Sequence, residues 1–221
     1  MGRRDVRNIC FHGIGAPGRP IDDDEARYWI TADEYLRILD EIATWPATVI
    51  SFDDGNASDV EIGLPGLLER GLTGTFFVLA GRLDTAGSVT SEQVAGLRAA
   101  GMRVGSHGMD HVSWRSMSPD VRRRELVEAR EVIAAIAGDV TEAALPRGQY
   151  DRGTLSALRR LGYTAVHTSD RRLATAGAWL QPRFSVTRDD TPQTLVRSAL
   201  VPQPVHRRVA LEAKGLLKRW R

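Results

Sequence analysis

Two adjacent aspartates, Asp53 and Asp54, directly follow a run of strand-forming residues, Thr48 to Phe52. Successive residues of a strand point to opposite faces, so the two carboxylates need not have the same role. Gly55 follows them and allows the chain to turn sharply. The same pattern is also typical of an ordinary turn, so the chemistry of the pair depends on which other side chains reach it.

Two histidines four residues apart, His107 and His111, follow another apolar run, Met102 to Val104. In a helical turn this spacing places both imidazoles on one face, where they can bind a single ion. Surface helices carry such pairs by chance as well. The pair gains weight because it follows a predicted strand end, as do the two aspartates and His12, and such residues gather at one rim of an α/β fold.

Two histidines, one carboxylate and an open position form the ligand set of a hydrolytic metal site. The ion in such a site polarises a carbonyl group and lowers the pKa of its water to near neutral. A second carboxylate nearby can accept the proton of that water. The pattern therefore predicts one divalent metal ion held by Asp54, His107 and His111, with Asp53 free to act as general base.

Short apolar runs rich in β-forming residues recur along the chain, each followed by a glycine-containing turn and a helix-like segment. These predicted strands are Asn8 to Phe11, Thr48 to Phe52, Gly74 to Leu79, Met102 to Val104, Glu142 to Leu145, Tyr163 to Val166 and Phe184 to Val186. The alternation implies parallel strands with right-handed crossovers, either in an open sheet or in a barrel. We expect the α/β barrel, a distorted and incompletely closed (β/α)7 barrel.

Composition narrows the class of protein. The 221 residues carry a net charge of only +2, with basic groups spread along most of the chain, so a nucleic-acid partner is not expected. The single cysteine, Cys10, excludes an internal disulfide framework and suits a small core position. The first apolar run is too short for a secretory signal, and no stretch approaches the roughly 20 apolar residues of a membrane span. The sequence thus predicts a cytoplasmic protein.

These motifs resemble the polysaccharide deacetylase family, the NodB-homology domain of carbohydrate esterase family 4. Phe52 to Gly55 and Ser106 to His111 are similar to its first two motifs residue by residue, and the resemblance covers roughly residues 7–186. It implies that Asp53 is the catalytic base and that the metal, bound by Asp54 and the two histidines, is most often Zn²⁺. The expected substrate is an N-acetylated amino sugar in a glycan, a lipid-linked precursor or a sugar metabolite.

The third motif departs from the family pattern, because Leu145 to Tyr150 places its arginine after the proline rather than before it. A guanidinium beside Asp53 keeps that carboxylate ionised and oriented. Either Arg147 or Arg183 can supply this group, and a solvated surface arginine is the alternative for each. Tyr150 of the same turn and Trp114 are the aromatic residues expected to contact the sugar.

In the family, a histidine near the C-terminus protonates the leaving amine. His206 follows Pro202-Gln203-Pro204, which is a poor strand, so it matches weakly. His12 is the better candidate, because Cys10 to Ile14 resembles the first strand of deacetylases whose acid comes from the N-terminal end. The first and last strands of a barrel are neighbours, so either terminus can fill the same place. A buried structural histidine remains the alternative.

Residues 1–200 are predicted to form the barrel domain and residues 201–221 a basic tail or helix. In this tail, basic residues alternate with Val209, Leu216, Leu217 and Trp220, which suits an interfacial helix on anionic lipid. A solvated tail or a helix docked on the barrel is the alternative. Two other functions remain open, namely a deformylase acting on a lipid-linked amino sugar and a catalytically silent sugar-binding or scaffold protein.

Overall fold

The computed structural model describes residues 5–201. Apart from Val201, the predicted tail, with His206, lies outside the described residues, so its contact with lipid stays a prediction. The described part contains nine strands, which are β1 (Asp5–Phe11), β2 (Thr48–Phe52), β3 (Gly74–Val78), β4 (Arg103–Ser106), β5 (Glu142–Ala144), β6 (Ala165–Thr168), β7 (Ala174–Thr175), β8 (Leu180–Pro182) and β9 (Phe184–Ser185). The very short strands β7 and β8 were not predicted, because two or three residues show no periodicity.

Helices connect most of the strands. They are α1 (Asp23–Ala26), α2 (Ala32–Ile42), α3 (Leu64–Glu69), α4 (Ser91–Ala99), α5 (Pro119–Arg123), α6 (Ala129–Ala137), α7 (Arg152–Arg160) and α8 (Pro192–Leu195). Short π-helical segments, Asp59–Gly63, Arg124–Glu128 and Val196–Leu200, and the 3₁₀ turns Ala80–Arg82 and Pro146–Gly148 adjoin them. A threonine three residues before Glu34 or Gln93 predicts a helix start, and Thr31 and Thr90 do cap α2 and α4. Among the described residues, no helix is long and apolar enough to cross a membrane.

The strands form one sheet in the order β7-β1-β2-β3-β4-β5-β6-β8, and β9 returns to pair with β1. The ladders from β1 to β6 are parallel, as are β6 with β8 and β9 with β1. β8 pairs with β6 and β9 pairs with β1, but Arg183 separates β8 from β9. The barrel is therefore not closed by hydrogen bonds between these two strands. The prediction of an incompletely closed α/β barrel is therefore confirmed.

The sheet has an outer face covered by helices. Phe52 packs there between Phe11 and Phe76, with ring centroids 5.6 Å and 4.6 Å apart, and Tyr35 of α2 lies against Phe11 and Phe52. Because side chains alternate along a strand, the outward direction of Phe52 turns Ser51 and Asp53 to the inside of the barrel. The aromatic packing thus sets the orientation of the first candidate carboxylate.

Candidate active site

Asp53 and Asp54 lie at the carboxyl end of β2, as the sequence predicts. The backbone N–H of Asp53 donates to the carbonyl of Phe11 at 3.0 Å, which continues the pairing of β1 with β2. Asp54 has φ of 77° and Gly55 has φ of 63°, so the chain turns sharply at these two residues. A non-glycine residue in this left-handed region is strained, and such strain concentrates at functional sites. Both carboxylates are buried.

His107 and His111 lie in a loop after β4. The expected helical turn is absent there, because Gly108 and His111 have φ of 89° and 57° and break any helical path. The backbone N–H of His107 donates to Val78, and its ring Nδ1 lies 2.9 Å from the carbonyl oxygen of Ala144. A carbonyl accepts only from a protonated Nδ1, so in the neutral imidazole Nε2 keeps its lone pair free for a ligand.

The two imidazoles and Asp54 converge on one point. Asp54 Oδ1 lies 3.4 Å from His107 Nε2 and 3.3 Å from His111 Nε2, and it has no hydrogen-bond partner although it is buried. These three ligand atoms all lie within 4.8 Å of one another. A buried carboxylate oxygen without a partner carries a large desolvation cost, which a cation held between the three atoms removes. The donor set therefore fits a divalent metal ion.

The protonation of His111 suits this role. Burial lowers the pKa of His111 to about 4, and the charges of His107, Arg82 and Arg147 act in the same direction against that of Asp54. His111 is therefore neutral near pH 7, which is the form that binds metals. Burial also lowers the pKa of His107, but Asp53 and Asp54 outweigh it and raise that pKa above its ordinary value.

Asp53 forms a bidentate ion pair with Arg183. The guanidinium Nη1 and Nη2 donate to the two carboxylate oxygens at 2.6 Å each, and Nη1 also donates to Ser51 Oγ at 3.0 Å. Arg183 is 0% exposed. Burial raises the pKa of Asp53, but the adjacent positive charge outweighs it and holds the pKa well below its ordinary value. Asp53 is therefore ionised and held in one orientation.

The structure places Arg183, and not Arg147, beside Asp53. Arg183 stands between β8 and β9, where its backbone N–H donates to Thr168 and its carbonyl accepts from Arg171. Arg183 thus interrupts the last strand of the barrel, and its guanidinium points to the barrel interior, where Asp53 lies. The Nε of Arg147 instead donates to the carbonyl of His111 at 3.2 Å, on an exposed turn. The expectation that Arg147 could orient Asp53 is therefore wrong.

His12 follows β1 and faces the two aspartates. Its Nε2 lies 4.0 Å from Asp53 Oδ2, and its ring stacks on Tyr28 with centroids 4.6 Å apart. Cys10 Sγ lies 3.9 Å from its Nδ1. Burial lowers the pKa of His12 despite the opposing charges of Asp54 and Asp53, so the imidazole is neutral near pH 7.

A cleft of about 290 Å³ opens above these groups. Its walls contain His12, Asp22, Asp24, Glu25, Arg27, Tyr28, Asp53, Asp54, Arg82, His107, His111, Leu145, Arg147, Gln149 and Ser169. Trp114 and Tyr150 are absent from these walls. They are 0% and 2% exposed within a second core cluster, which they form with Leu126, Leu145 and Leu158 apart from the core around Phe52, so the expectation that they contact a sugar is wrong. Their indole N–H and hydroxyl groups bond to Glu125 and Asp170 instead.

Glu125 organises the 107–111 loop. Its Oε2 accepts from the backbone N–H of Met109 and from Trp114 Nε1, and its Oε1 accepts from the N–H of Asp110, each at 3.0 Å. A Cβ at Gly108 would collide with this carboxylate, so the loop needs glycine there. The one sequence signal for Glu125 is its place in a core stripe with Ala129, Ile133 and Ala137, all buried.

Replacing Glu125 with alanine is expected to lower the free energy of unfolding by about 3 kcal/mol or more, because three donors lose their partner at about 1 kcal/mol or more each. Urea unfolding measures this value. Glu128→Ala, in the same π-helical segment, is the control, since Glu128 is partly exposed and pairs with the exposed Arg123. That change should cost no more than about 0.5 kcal/mol. Equal losses in both variants would contradict the organising role of Glu125.

Known proteins resemble this chain in both sequence and architecture. Residues 43–166, more than half of the chain, match the family model described as polysaccharide deacetylase. The chain belongs to the polysaccharide deacetylase family. This assignment confirms the resemblance carried by the Asp-Asp-Gly and Ser-His motifs.

One curated relative and two solved structures show how far the similarity of this chain extends. YxkH of Bacillus subtilis (strain 168), which carries the polysaccharide deacetylase name, is 25% identical over 123 residues, covering 55% of this chain and 44% of that protein. The chain thus spans less than half the length of this relative.

The deacetylase PplD of Streptococcus pyogenes, solved in complex with acetate, superposes with a TM-score of 0.77 at 19% identity, covering 91% of this chain and 100% of that one. IcaB from Ammonifex degensii superposes with a TM-score of 0.72 at 23% identity, covering 90% and 98% of the two chains. At these identities the likeness shows a shared fold.

Proposed function

We propose that this family member is a metal-dependent N-deacetylase of an N-acetylated amino sugar. The observation that carries the proposal is the unpartnered Oδ1 of Asp54 between the Nε2 atoms of His107 and His111, with the ionised Asp53 beside it. Asp54, His107 and His111 would hold the ion. Zn²⁺ is the ion we propose, because two imidazoles, one carboxylate and an open position form the usual set of a catalytic zinc.

When bound, the metal supplies Lewis acidity, which polarises the acyl carbonyl and lowers the pKa of the attacking water. Asp53 accepts the proton of that water, and Arg183 holds its carboxylate ionised and oriented through the bidentate contact. His12, whose Nε2 lies 4.0 Å from Asp53 Oδ2, is placed to take up the proton that Asp53 has accepted and to pass it to the sugar nitrogen as the C–N bond breaks. Acetate and the free amino sugar are the products.

Three features support an acetylated sugar as substrate. The cleft is open to solvent and lined mainly by polar side chains, which suits a hydrophilic ligand. The family is named for polysaccharide deacetylation, and a structural relative named as a deacetylase was solved with acetate. A buried arginine and two histidines around Asp53 match the demands of amide hydrolysis better than those of simple sugar binding, which needs no general base.

Metal removal tests this proposal. Protein treated with a chelator is expected to release no acetate from an N-acetylglucosamine oligosaccharide, and addition of Zn²⁺ should restore release because the donor set is preformed. Acetate and free amine are quantified in parallel, with bound metal measured by elemental analysis. Turnover by metal-free protein would overturn the metal dependence.

The same experiment distinguishes the rival functions. Release of formate from the N-formyl analogue, with none of acetate from the acetyl compound, would identify a deformylase that uses the same residues. Sugar binding without metal and without turnover would instead identify a catalytically silent binding protein and overturn the proposal.

A further inference from the structure

The walls of the cleft carry opposite charges. Asp22, Asp24 and Glu25 lie on the side of His12, where α1 meets the stacked rings of His12 and Tyr28. Arg82 and Arg147 lie on the side of His111. The catalytic scheme proposed above uses none of these five charged groups. Arg27 also lies on the side of His12, over the Tyr28 ring, and Glu25 there pairs with Arg19, so that side carries both signs of charge, whereas the side of His111 is positive.

Arg82 belongs to a turn that is fixed to the 107–111 loop. The backbone N–H of Ala80 donates to Gly108 at 2.9 Å, and that of Gly81 donates to Met109 at 3.0 Å. The side chain of Arg82 reaches into the cleft, and its Nη1 is buried without a hydrogen-bond partner. A buried guanidinium N–H without an acceptor is costly, and an anionic ligand would remove that cost.

Arg147 approaches the same place from β5. It has φ of 55°, a left-handed conformation that side chains rarely adopt, and its Nε donates to the backbone carbonyl of His111. Asp54 and His111, two of the candidate metal ligands, share this strained conformation. The surrounding structure must stabilise such strain, and here it presents the exposed guanidinium of Arg147 to the cleft.

Neither arginine is neutralised by the protein. Among the described residues, Arg82 and Arg147 form no ion pair, whereas eight others each have a carboxylate partner: Arg19, Arg37, Arg70, Arg103, Arg123, Arg124, Arg171 and Arg183. Besides burial, their charges are among the causes that lower the pKa of His111, so both guanidinium groups lie close to that ring. Two uncompensated cations therefore border the proposed metal site.

We propose that Arg82 and Arg147 bind an anionic substituent, a phosphate or a carboxylate, on the amino sugar. This inference rests on the proposed deacetylase function and specifies its substrate class. Guanidinium groups bind both anions through paired, charge-assisted hydrogen bonds. The positive charge of these two guanidinium groups favours one orientation of the sugar, with its anionic group toward His111.

Kinetics with matched sugars tests the inference. Zinc-loaded protein is assayed on N-acetylglucosamine, its 1-phosphate, its 6-phosphate and N-acetylmuramic acid. The wild type should show a higher kcat/KM for at least one anionic sugar than for the neutral one. Arg82→Gln and Arg147→Gln should each reduce that ratio by about tenfold or more, since a hydrogen bond to a charged group is lost. The loss should appear mainly in KM.

Arg37→Gln is the matched control. Arg37 is an exposed arginine of α2 that pairs with Glu34, so its replacement removes the same charge away from the cleft. This variant should keep the wild-type ratio. The phosphate and carboxylate arms identify which anion is preferred. A wild-type preference for neutral sugar, or an equal ratio in all variants, would overturn the inference.

A binding measurement separates this inference from the deacetylase proposal. Calorimetry on zinc-loaded protein compares N-acetylglucosamine 6-phosphate and 1-phosphate with N-acetylglucosamine. If no sugar is hydrolysed, the proposed function fails, but tighter binding of a phosphorylated sugar that both arginine variants lose would still support the site. Phosphate held by the metal alone predicts equal binding in the arginine variants and the wild type, which would overturn the site.

Discussion

Asp53→Asn is expected to lower turnover by about 10²–10⁴-fold, the usual contribution of a general base. The amide keeps the shape of the side chain but cannot accept the proton of the attacking water. Metal content should remain at the wild-type level, because Asp53 is not among the three converging ligands. Initial rates at saturating N-acetylated substrate, normalised to bound metal, measure the effect. A loss below roughly tenfold would mean that the base lies elsewhere.

The Asp53 variant also leaves Arg183 without its charge partner. Removing one member of a buried ion pair typically destabilises a protein by about 3–5 kcal/mol, so unfolding by urea must be followed in the same samples. Asp59→Asn is the matched control. Asp59 is buried nearby, where its Oδ2 accepts from the N–H of Asn56, and burial raises its pKa, so an amide resembles the protonated acid. This variant should keep turnover within a few-fold of wild type.

His111→Ala is expected to abolish stoichiometric metal binding while leaving most of the fold intact. Two remaining ligands rarely hold a hydrolytic metal tightly, and the side chain of His111 is partly exposed, so its removal creates little buried void. Elemental analysis after gel filtration measures the metal, and circular dichroism measures the fold. Full metal content in this variant would overturn the assignment of the ligands.

His167→Gln serves as the control for this experiment. His167 is more deeply buried than His111, its Nε2 bonds to Glu142 at 2.8 Å, and it lies outside the converging triad. Loss of this pair should reduce stability and leave the metal bound. Metal loss in both variants would instead show that general destabilisation, and not the removal of a ligand, releases the ion.

The grouping of Asp54, His107 and His111 could be predicted from the sequence. All three follow the carboxyl ends of strands, and parallel strands with right-handed crossovers bring those ends to one rim. The family resemblance and the incompletely closed barrel followed from the same strand ends and motifs. Helix starts such as Thr31 were predictable because capping is a local interaction between residues three apart.

The choice between Arg183 and Arg147 depended on tertiary structure. Arg183 reaches Asp53 across 130 positions of the sequence, through a break between two strands too short to show a pattern. The sequence left Arg147 and Arg183 open as candidates. The left-handed backbone of Arg147 directs it elsewhere, to the carbonyl of His111. Sequence spacing carries no information on such a long-range contact, because the direction of each side chain depends on the pairing of its strand.

The sequence by itself therefore determined the features that depend on local or periodic patterns. These are the strand ends, the helix caps and the residues of the Asp-Asp and His-His motifs. Tertiary structure alone decided which other side chains face the cleft and which are buried away from it. Trp114 and Tyr150 are buried in the second core cluster, and Glu125 bonds to the loop beside His107. The physical reason is that burial and hydrogen bonding depend on neighbours distant in sequence, whereas capping and strand alternation depend on neighbours a few residues away.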